Sequence, residues 1–262
     1  MNLEIIFENR EILVFNKPAG LVVNRSQTVS VETLQDQIAD YLGLSENDLG
    51  IGERAGIVHR LDRETSGLLL VAKTEKSFER LQEQFKSRKV EKEYVALVHG
   101  NIKDEKVEIV NKLIRIGKYG KFGVANNHQE GKDSESLVLK ISNLQFSQLK
   151  FKNILEKADF NKVRRRYLEK NATHYTLVSV FPKTGRTHQI RVHLKHFGNP
   201  VVADTIYAPS KLLSFDSYWC PRLFLHARSI KFIDPLNNKE LYFTQEIPSE
   251  LKLVLKNLES AI

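Results

Sequence analysis

The sequence predicts an α+β fold with a mixed, mainly antiparallel β-sheet core and flanking helices. Three observations carry this reading. Short β-type runs outnumber helical ones. Most connections between the runs look like hairpins rather than crossover helices. No internal repeat, heptad run or Pro/Ser-rich linker divides the 262 residues, which suffice for one large domain or two small ones.

Taken in order, "LEIIFE" and "EILVFN" are short β-runs around a polar turn and predict a hairpin. "KPAG" punctuates the chain with Pro18 and Gly20 before "LVVN". "SVETLQDQIADYLGL" places Val31, Leu34, Ile38 and Leu42 three and four residues apart, a helix closed by Gly43. "GLLLVAK" predicts a strand. "TEKSFERLQEQFKSRKV" predicts a helix capped by Thr74 or Ser77, with Phe78, Leu81 and Phe85 on one face. "KEYVALVHG" is apolar on both faces, as in a central strand.

Residues 111–170 are less regular. "IGKYGKFGVANNHQEGKDSES" is rich in Gly, Lys and Asn and reads as loop, and "NKVRRRYLEKN" is a basic run, so 117–170 is expected to be an insertion-like basic region. "THYTLVSVF" resumes strand character. "TGRTHQIRVHLKHFGNP" reads as a turn and a helix closed by Gly198 and Pro200. "RLFLHARSIKFIDP" and "KELYFTQ" predict two more strands, and "SELKLVLKNLES" a terminal helix.

Apolar residues make up 41% and charged residues 27% of the chain, the balance of a globular protein. The net charge of +8 favours an anionic partner, nucleic acid first. Cys220 is the only cysteine, which excludes an intrachain disulfide and cysteine-rich zinc sites and points to a reducing compartment. The N-terminus has no basic leader, and the longest apolar run, "LLLVA", is far short of the ~18 residues of a membrane span. A cytoplasmic protein without a membrane partner is expected.

Several motif-like stretches carry no chemistry. "GIGERAG" has the wrong glycine spacing for a dinucleotide fingerprint and no strand before it. "KYGKFGV" fails the pattern of an RNA-stacking strand. No phosphate-binding G-x-x-x-x-G-K-[ST] loop exists, so no nucleotide cofactor is expected. His188 and His193 diverge on a helix, and His193 and His196 lack an E-x-x-H partner, so no metal site is expected.

"HRLDRETSG" (59–67) sets five ionisable side chains between apolar segments. An Asp in a turn is ordinarily a cap or turn former. Here Arg60 and Arg63 flank Asp62, the adjoining runs are apolar enough to bury the turn's base, and a second basic turn, "KTGRTHQIR", lies elsewhere. An unpaired buried carboxylate costs several kcal/mol, more than the ~1 kcal/mol a cap contributes. If buried, Asp62 needs a cationic partner, Arg186 or an arginine of its own turn. An ionised, partly desolvated carboxylate is a competent nucleophile or base.

"HRLDRETSGLLLVAK" resembles motif II of the RluA-type pseudouridine synthases, H-R-L-D-x-x-T-S-G-L, with His59 favouring that branch. "NKPAGLVV" (16–23), "KEYVALV" (92–98), "KTGRTHQIRVHL" (183–194) and "RLFLHA" (222–227) resemble further family motifs in family order. The resemblance implies one catalytic domain over 1–262 with a central cleft and no preceding S4-type domain. It implies isomerisation of uridines in ribosomal or transfer RNA, with RNA as partner. It gives Asp62 the part of the catalytic aspartate, Tyr94 that of the active-site tyrosine and Arg186 that of the arginine pairing with the aspartate. Arg60 matches the position implicated in wedging into RNA and Ile190 an apolar position near the base; His59, Lys183 and Arg191, within the same motifs, are expected among the RNA contacts.

Pseudouridylation breaks the C1′–N1 bond and joins C1′ to C5 without transferring an electron, phosphate or acyl group, so no cofactor is implied. Attack by Asp62 at C1′ and at C6 both remain open. Ala203 and Ala208 stand where the family commonly has Gly. The basic stretch near 150–170 is expected to add RNA contacts, and no seam pattern argues against a monomer. Three rivals are an RNA-binding protein without turnover, a nucleobase glycosidase pairing Asp62 with Glu64, and a structural assembly protein.

Overall fold

The computed structural model describes residues 4–26, 29–44, 50–117, 120–126 and 128–261. The chain forms two compact units, Met1–Lys92 with Ala227–Glu246 and Glu93–His226 with Ile247–Ile262. In the first lie β1 (Glu4–Glu8), β2 (Ile12–Lys17), α1 (Leu34–Tyr41), β3 (Ser66–Ala72) and α2 (Glu75–Lys86). Then follow β4 (Glu91–His99), β5 (Lys106–Ile116), β6 (Lys121–Val124), β7 (Lys132–Phe146), α3 (Gln148–Lys157), α4 (Lys162–Asn171), β8 (His174–Pro182), α5 (Gln189–His196) and α6 (Ser210–Asp216). From Ala227 onward β9 (Leu225–Ile233) returns to the first unit, which β10 (Glu240–Thr244) completes; α7 (Ser249–Leu255) and β11 (Leu258–Ser260) belong to the second.

In the first unit the strands run in the order β1–β2–β3–β9, with β10 on β9. The expected β1–β2 hairpin forms because the Asn9 side chain accepts from the amides of Glu11 and Ile12, closing the turn. Thr33 and Asp36 make a reciprocal capping box, so α1 starts later than its apolar spacing suggested, and Val31 stays outside it at 65% exposure. Gly43, at φ +68°, ends the helix as expected. Thr74 caps α2, whose Leu81 packs with Ile12, Val14, Leu68, Leu70, Ile230 and Phe232 in the unit's core.

In the second unit β4–β8–β7–β5–β6 are antiparallel at every step, with β11 paired to β7. Its core joins Val95 and Leu97 of β4 to Phe146, Tyr175, Phe215, Trp219 and Phe224. The fold is α+β with a mainly antiparallel sheet, as the sequence predicts. The loop expected after residue 116 is corrected: Lys121–Val124 and Lys132–Phe146 are strands of a ribbon with β5. Polar residues alternate along this ribbon because much of one face is solvated. The basic run is helix α4, capped by Asn161, whose side chain accepts from the amide of Arg164. Ala203 adopts φ +57°, the left-handed conformation that glycine takes most readily. No helix among the described residues is long and apolar enough to cross a membrane.

Candidate active site

The turn that carries Asp62 belongs to the first unit. The Asp62 carbonyl accepts from the amide of Thr65 at 3.1 Å, closing a four-residue β-turn, and Asp is a favoured first residue of such turns. Its role as turn former and its candidacy as a reacting group therefore coincide. Asp62 is half-buried, between Leu61 at 4% exposure and Thr65 at 2%. Arg60 and Arg63 are exposed.

Beneath the turn lies Lys17, with no exposed surface. Its Nζ donates to the carbonyls of Pro18 (2.7 Å), Leu21 (2.9 Å) and Arg63 (3.0 Å). The Arg63 carbonyl also accepts from the Gly20 amide at 2.8 Å, and Arg63 Nε donates back to the Gly20 carbonyl at 3.2 Å. The loop after β2 is thus clasped to the Asp62 turn by one buried ammonium and two backbone groups. Gly67 fixes the other end: at φ +117°, a Cβ there would lie 2.2 Å from the Ala227 carbonyl oxygen.

His59 holds the start of the segment. Its Nε2 accepts from the Leu70 amide at 3.0 Å, which places the proton of the neutral ring on Nδ1. Burial, with a smaller contribution from the Lys92 charge, lowers its pKa to about 3. Its ring lies 5.1 Å from that of Phe85, over which Lys92 Nζ stands at 5.6 Å. Burial lowers Lys92 itself to about 8. At neutral pH His59 is an uncharged strut between the turn and β3.

The second unit holds the remaining predicted residues. Tyr94 lies on β4 opposite Val180 and is 8% exposed. Arg186 is exposed in the turn before α5, its Nε donating to the Asp133 carbonyl at 3.0 Å. Gln189, 4% exposed, organises that turn. Its Oε1 accepts from Thr184 Oγ1 (2.7 Å) and the Arg186 amide (3.0 Å), while its Nε2 donates to the Glu135 carbonyl and Ser136 Oγ (3.0 Å each). Lys183 pairs with Glu135. Ile190 is 7% exposed on the first turn of α5.

Arg191, expected to touch RNA, is corrected by the structure. It is 2% exposed and bonds Asp204 bidentately, Nε to Oδ2 at 2.8 Å and Nη2 to Oδ1 at 2.7 Å. Its guanidinium also lies 5.2 Å from the Tyr207 ring centroid. Asp204 accepts in addition from the amides of Ile206 and Tyr207, so this pair holds the loop after α5. His193 is fully buried between Ser134 Oγ (2.8 Å) and Ser136 Oγ (3.1 Å), and burial lowers its pKa to about 4. Among the described residues no three His, Cys, Asp or Glu are grouped to hold a metal ion.

Sequence reasoning named no role for Lys17, Gln189 or Asp204. Lys17 had one signal: a cation closing the apolar run "ILVFN" has no reason to be there unless its charge is met inside.

Comparison with known proteins identifies the family. The family model described as RNA pseudouridylate synthase matches residues 11–196. The "Ribosomal large subunit pseudouridine synthase C" of Buchnera aphidicola subsp. Baizongia pistaciae is 34% identical over 98% of this chain and 71% of its own length. The "tRNA pseudouridine synthase C" of Haemophilus ducreyi is 34% identical over 90% of this chain and 87% of its own. The solved structure "Human RNA Pseudouridylate Synthase Domain Containing 1" shares the fold, with TM-score 0.70 at 24% identity over 99% of this chain and 89% of that one. With the family model covering well over half of its length, the chain belongs to the RNA pseudouridylate synthase family.

Proposed function

We propose that this RNA pseudouridine synthase acts on ribosomal or transfer RNA and uses Asp62 as its catalytic carboxylate. The observation that carries the assignment is the clasp beneath the turn. Lys17 Nζ, the Gly20 amide and the Asp62–Thr65 turn bond hold a short charged loop more firmly than a solvent turn requires. A reacting group fixed before the substrate arrives does not lose its own freedom in the reaction. The relatives named for large-subunit ribosomal RNA and for transfer RNA support the substrate class.

In this reading the Asp62 carboxylate attacks the uridine at C1′ or C6. The C1′–N1 bond breaks, the uracil turns, C1′ joins C5, the bond to the Asp62 carboxylate breaks to regenerate it, and the C5 proton is lost as N1 regains one. Tyr94, by its match to the family's active-site tyrosine, is assigned stacking on the uracil and removal of the C5 proton. Arg186, by its match to the family's arginine, is assigned the part of orienting the aspartate. Arg60, exposed two residues before Asp62, fills the gap left by the extruded nucleotide, which offsets an unstacking cost of a few kcal/mol. Ile190 bounds the base, and Lys183 meets phosphate. The atoms balance without an electron or group donor, so the reading calls for no cofactor, and it takes the chain as a cytoplasmic monomer with one catalytic domain.

The test is tritium release from 5-³H-uridine RNA prepared from cells lacking the gene. Wild type releases tritium. Asp62→Asn, nearly isosteric, binds the same RNA within about threefold and loses release by at least 10³-fold. Release by Asp62→Asn at more than a tenth of the wild-type rate would remove Asp62 from the mechanism.

A further inference from the structure

We propose that the exposed face of α4 is a second RNA-binding surface, which grips the phosphate backbone away from the target uridine. The inference rests on the reading of the chain as an RNA-modifying enzyme. The charge is concentrated there: residues 148–171 hold eight Lys and Arg against three Asp and Glu, so a segment of 24 residues carries a net charge of +5 where the whole chain has +8.

The helix places them in a row. Lys162, Arg166 and Lys170 are exposed and follow one another at i, i+4 and i+8, which aligns them along one solvated side. The opposite side is anchored by Leu168, fully buried in the second unit's core. Neighbouring cations are already engaged: Arg164 lies over the Phe160 ring at 5.4 Å, and Arg165 Nε donates to the Phe160 carbonyl at 2.7 Å. Lys211 of α6 stands over Tyr167 at 4.8 Å, so a further ammonium flanks the same helix. Lys162, Arg166 and Lys170 make no ion pair among the described residues.

This arrangement works against the helix. Like charges four apart repel. The first turn of α4 has no acidic residue and three basic ones, Lys162, Arg164 and Arg165, at the positive end of the helix dipole. A helix with 162 and 166 neutral or acidic would be more stable. A sequence that breaks local electrostatic rules in one place, on a solvated face, is matched by an anion supplied from outside. A polyanion with regularly spaced charges fits a row of cations about 6 Å apart, the rise of four helical residues. RNA backbone supplies that spacing and is the anion this enzyme meets.

The experiment uses the full chain with Lys162→Ala, Arg166→Ala and Lys170→Ala combined. Alanine favours the helix and removes the repulsion, so the variant's thermal midpoint should equal or exceed that of wild type. The probe is labelled bulk RNA from cells lacking the gene, titrated by filter binding from 50 to 200 mM KCl. The expected result is at least tenfold weaker binding at 50 mM KCl. The slope of log K against log salt becomes shallower by about 2–3, from ~0.7–0.9 per phosphate contact. Tritium release at saturating RNA stays within twofold of wild type, so the loss is in KM. The charge-keeping variant, Lys162→Arg with Arg166→Lys and Lys170→Arg, retains wild-type affinity and slope. An unchanged slope and affinity in the triple alanine variant, with wild type active, overturns this surface and leaves the function standing. No tritium release by wild type on any RNA fraction overturns the function instead. Equal loss of binding to vesicles of anionic phospholipid, with RNA binding intact, would assign the face to a membrane and refute the proposal.

Discussion

Replacing Lys17 with methionine removes the ammonium and keeps most of the side chain's volume. In the wild type, three carbonyls accept from Nζ. The Arg63 carbonyl retains the Gly20 amide after the change. Those of Pro18 and Leu21 are left without a donor among the described residues. A buried acceptor deprived of its partner costs about 1–3 kcal/mol. Pro18 is exposed and Leu21 only half-buried, so water reaches part of the gap and the lower end applies. The expected loss is about 2–4 kcal/mol in total, a large part of a typical stability of about 5–15 kcal/mol. Urea unfolding measures it as a lower midpoint at unchanged slope. The turn also loses one of its ties at Arg63. At a temperature where the variant stays folded, single-turnover isomerisation should fall by about 10–100-fold, the scale of an ångström of misplacement. A stability within about 0.5 kcal/mol of wild type, the range of an inconsequential surface substitution, together with an unchanged rate, would refute the clasp as an organiser of the site.

Two further outcomes follow from buried ionisable groups. The native pKa of His193, about 4, lies below its unfolded value near 6.5, so the unfolded chain binds more protons in between. Its contribution is complete above pH 6.5 and is lost as pH falls, by about 2 kcal/mol between pH 7 and 5, and His59 acts in the same direction. Urea midpoints at the two pH values, for wild type and His193→Gln, measure it; equal pH dependence in both refutes the assignment. Asp204→Ala leaves the buried Arg191 guanidinium without its carboxylate and frees two amides. It should cost about 3–5 kcal/mol, read by thermal or urea unfolding, and a loss under 1 kcal/mol would mean that the pair contributes little.

What the sequence makes legible follows from where each signal is written. The Asp62 turn is legible because its residues are contiguous and each type has a local reason. Lys17 is not legible because its partners are backbone carbonyls, one of them 46 residues away, and a carbonyl leaves no mark in a sequence. Arg191 reads as a nucleic-acid contact until Asp204 is seen to claim it; charge type does not reveal pairing across a loop. Residues 116–136 read as loop because charged and small residues occupy the solvated positions of β6 and of the start of β7. Helix α4 hid for a similar reason: Leu168 is its only buried residue, too few for an apolar period to show.

The charged turn also explains why such polarity sits between buried strands. Within the nine residues from His59 to Gly67, four positions are held, three by hydrogen bonds and Gly67 by close packing against backbone. His59 is tied to the Leu70 amide, Asp62 to Thr65, Arg63 to Lys17 and Gly20, and Gly67 to the backbone at Ala227. Apolar contacts alone would bury the loop without fixing its register, because they have no direction. The hydrogen bond that the His59 Nε2 accepts and those that the buried Lys17 ammonium donates do have direction. The polar content at the base of the turn is therefore what gives the loop one conformation. The exposed Arg60 and Arg63 lie on the side open to solvent, where a polyanion can approach.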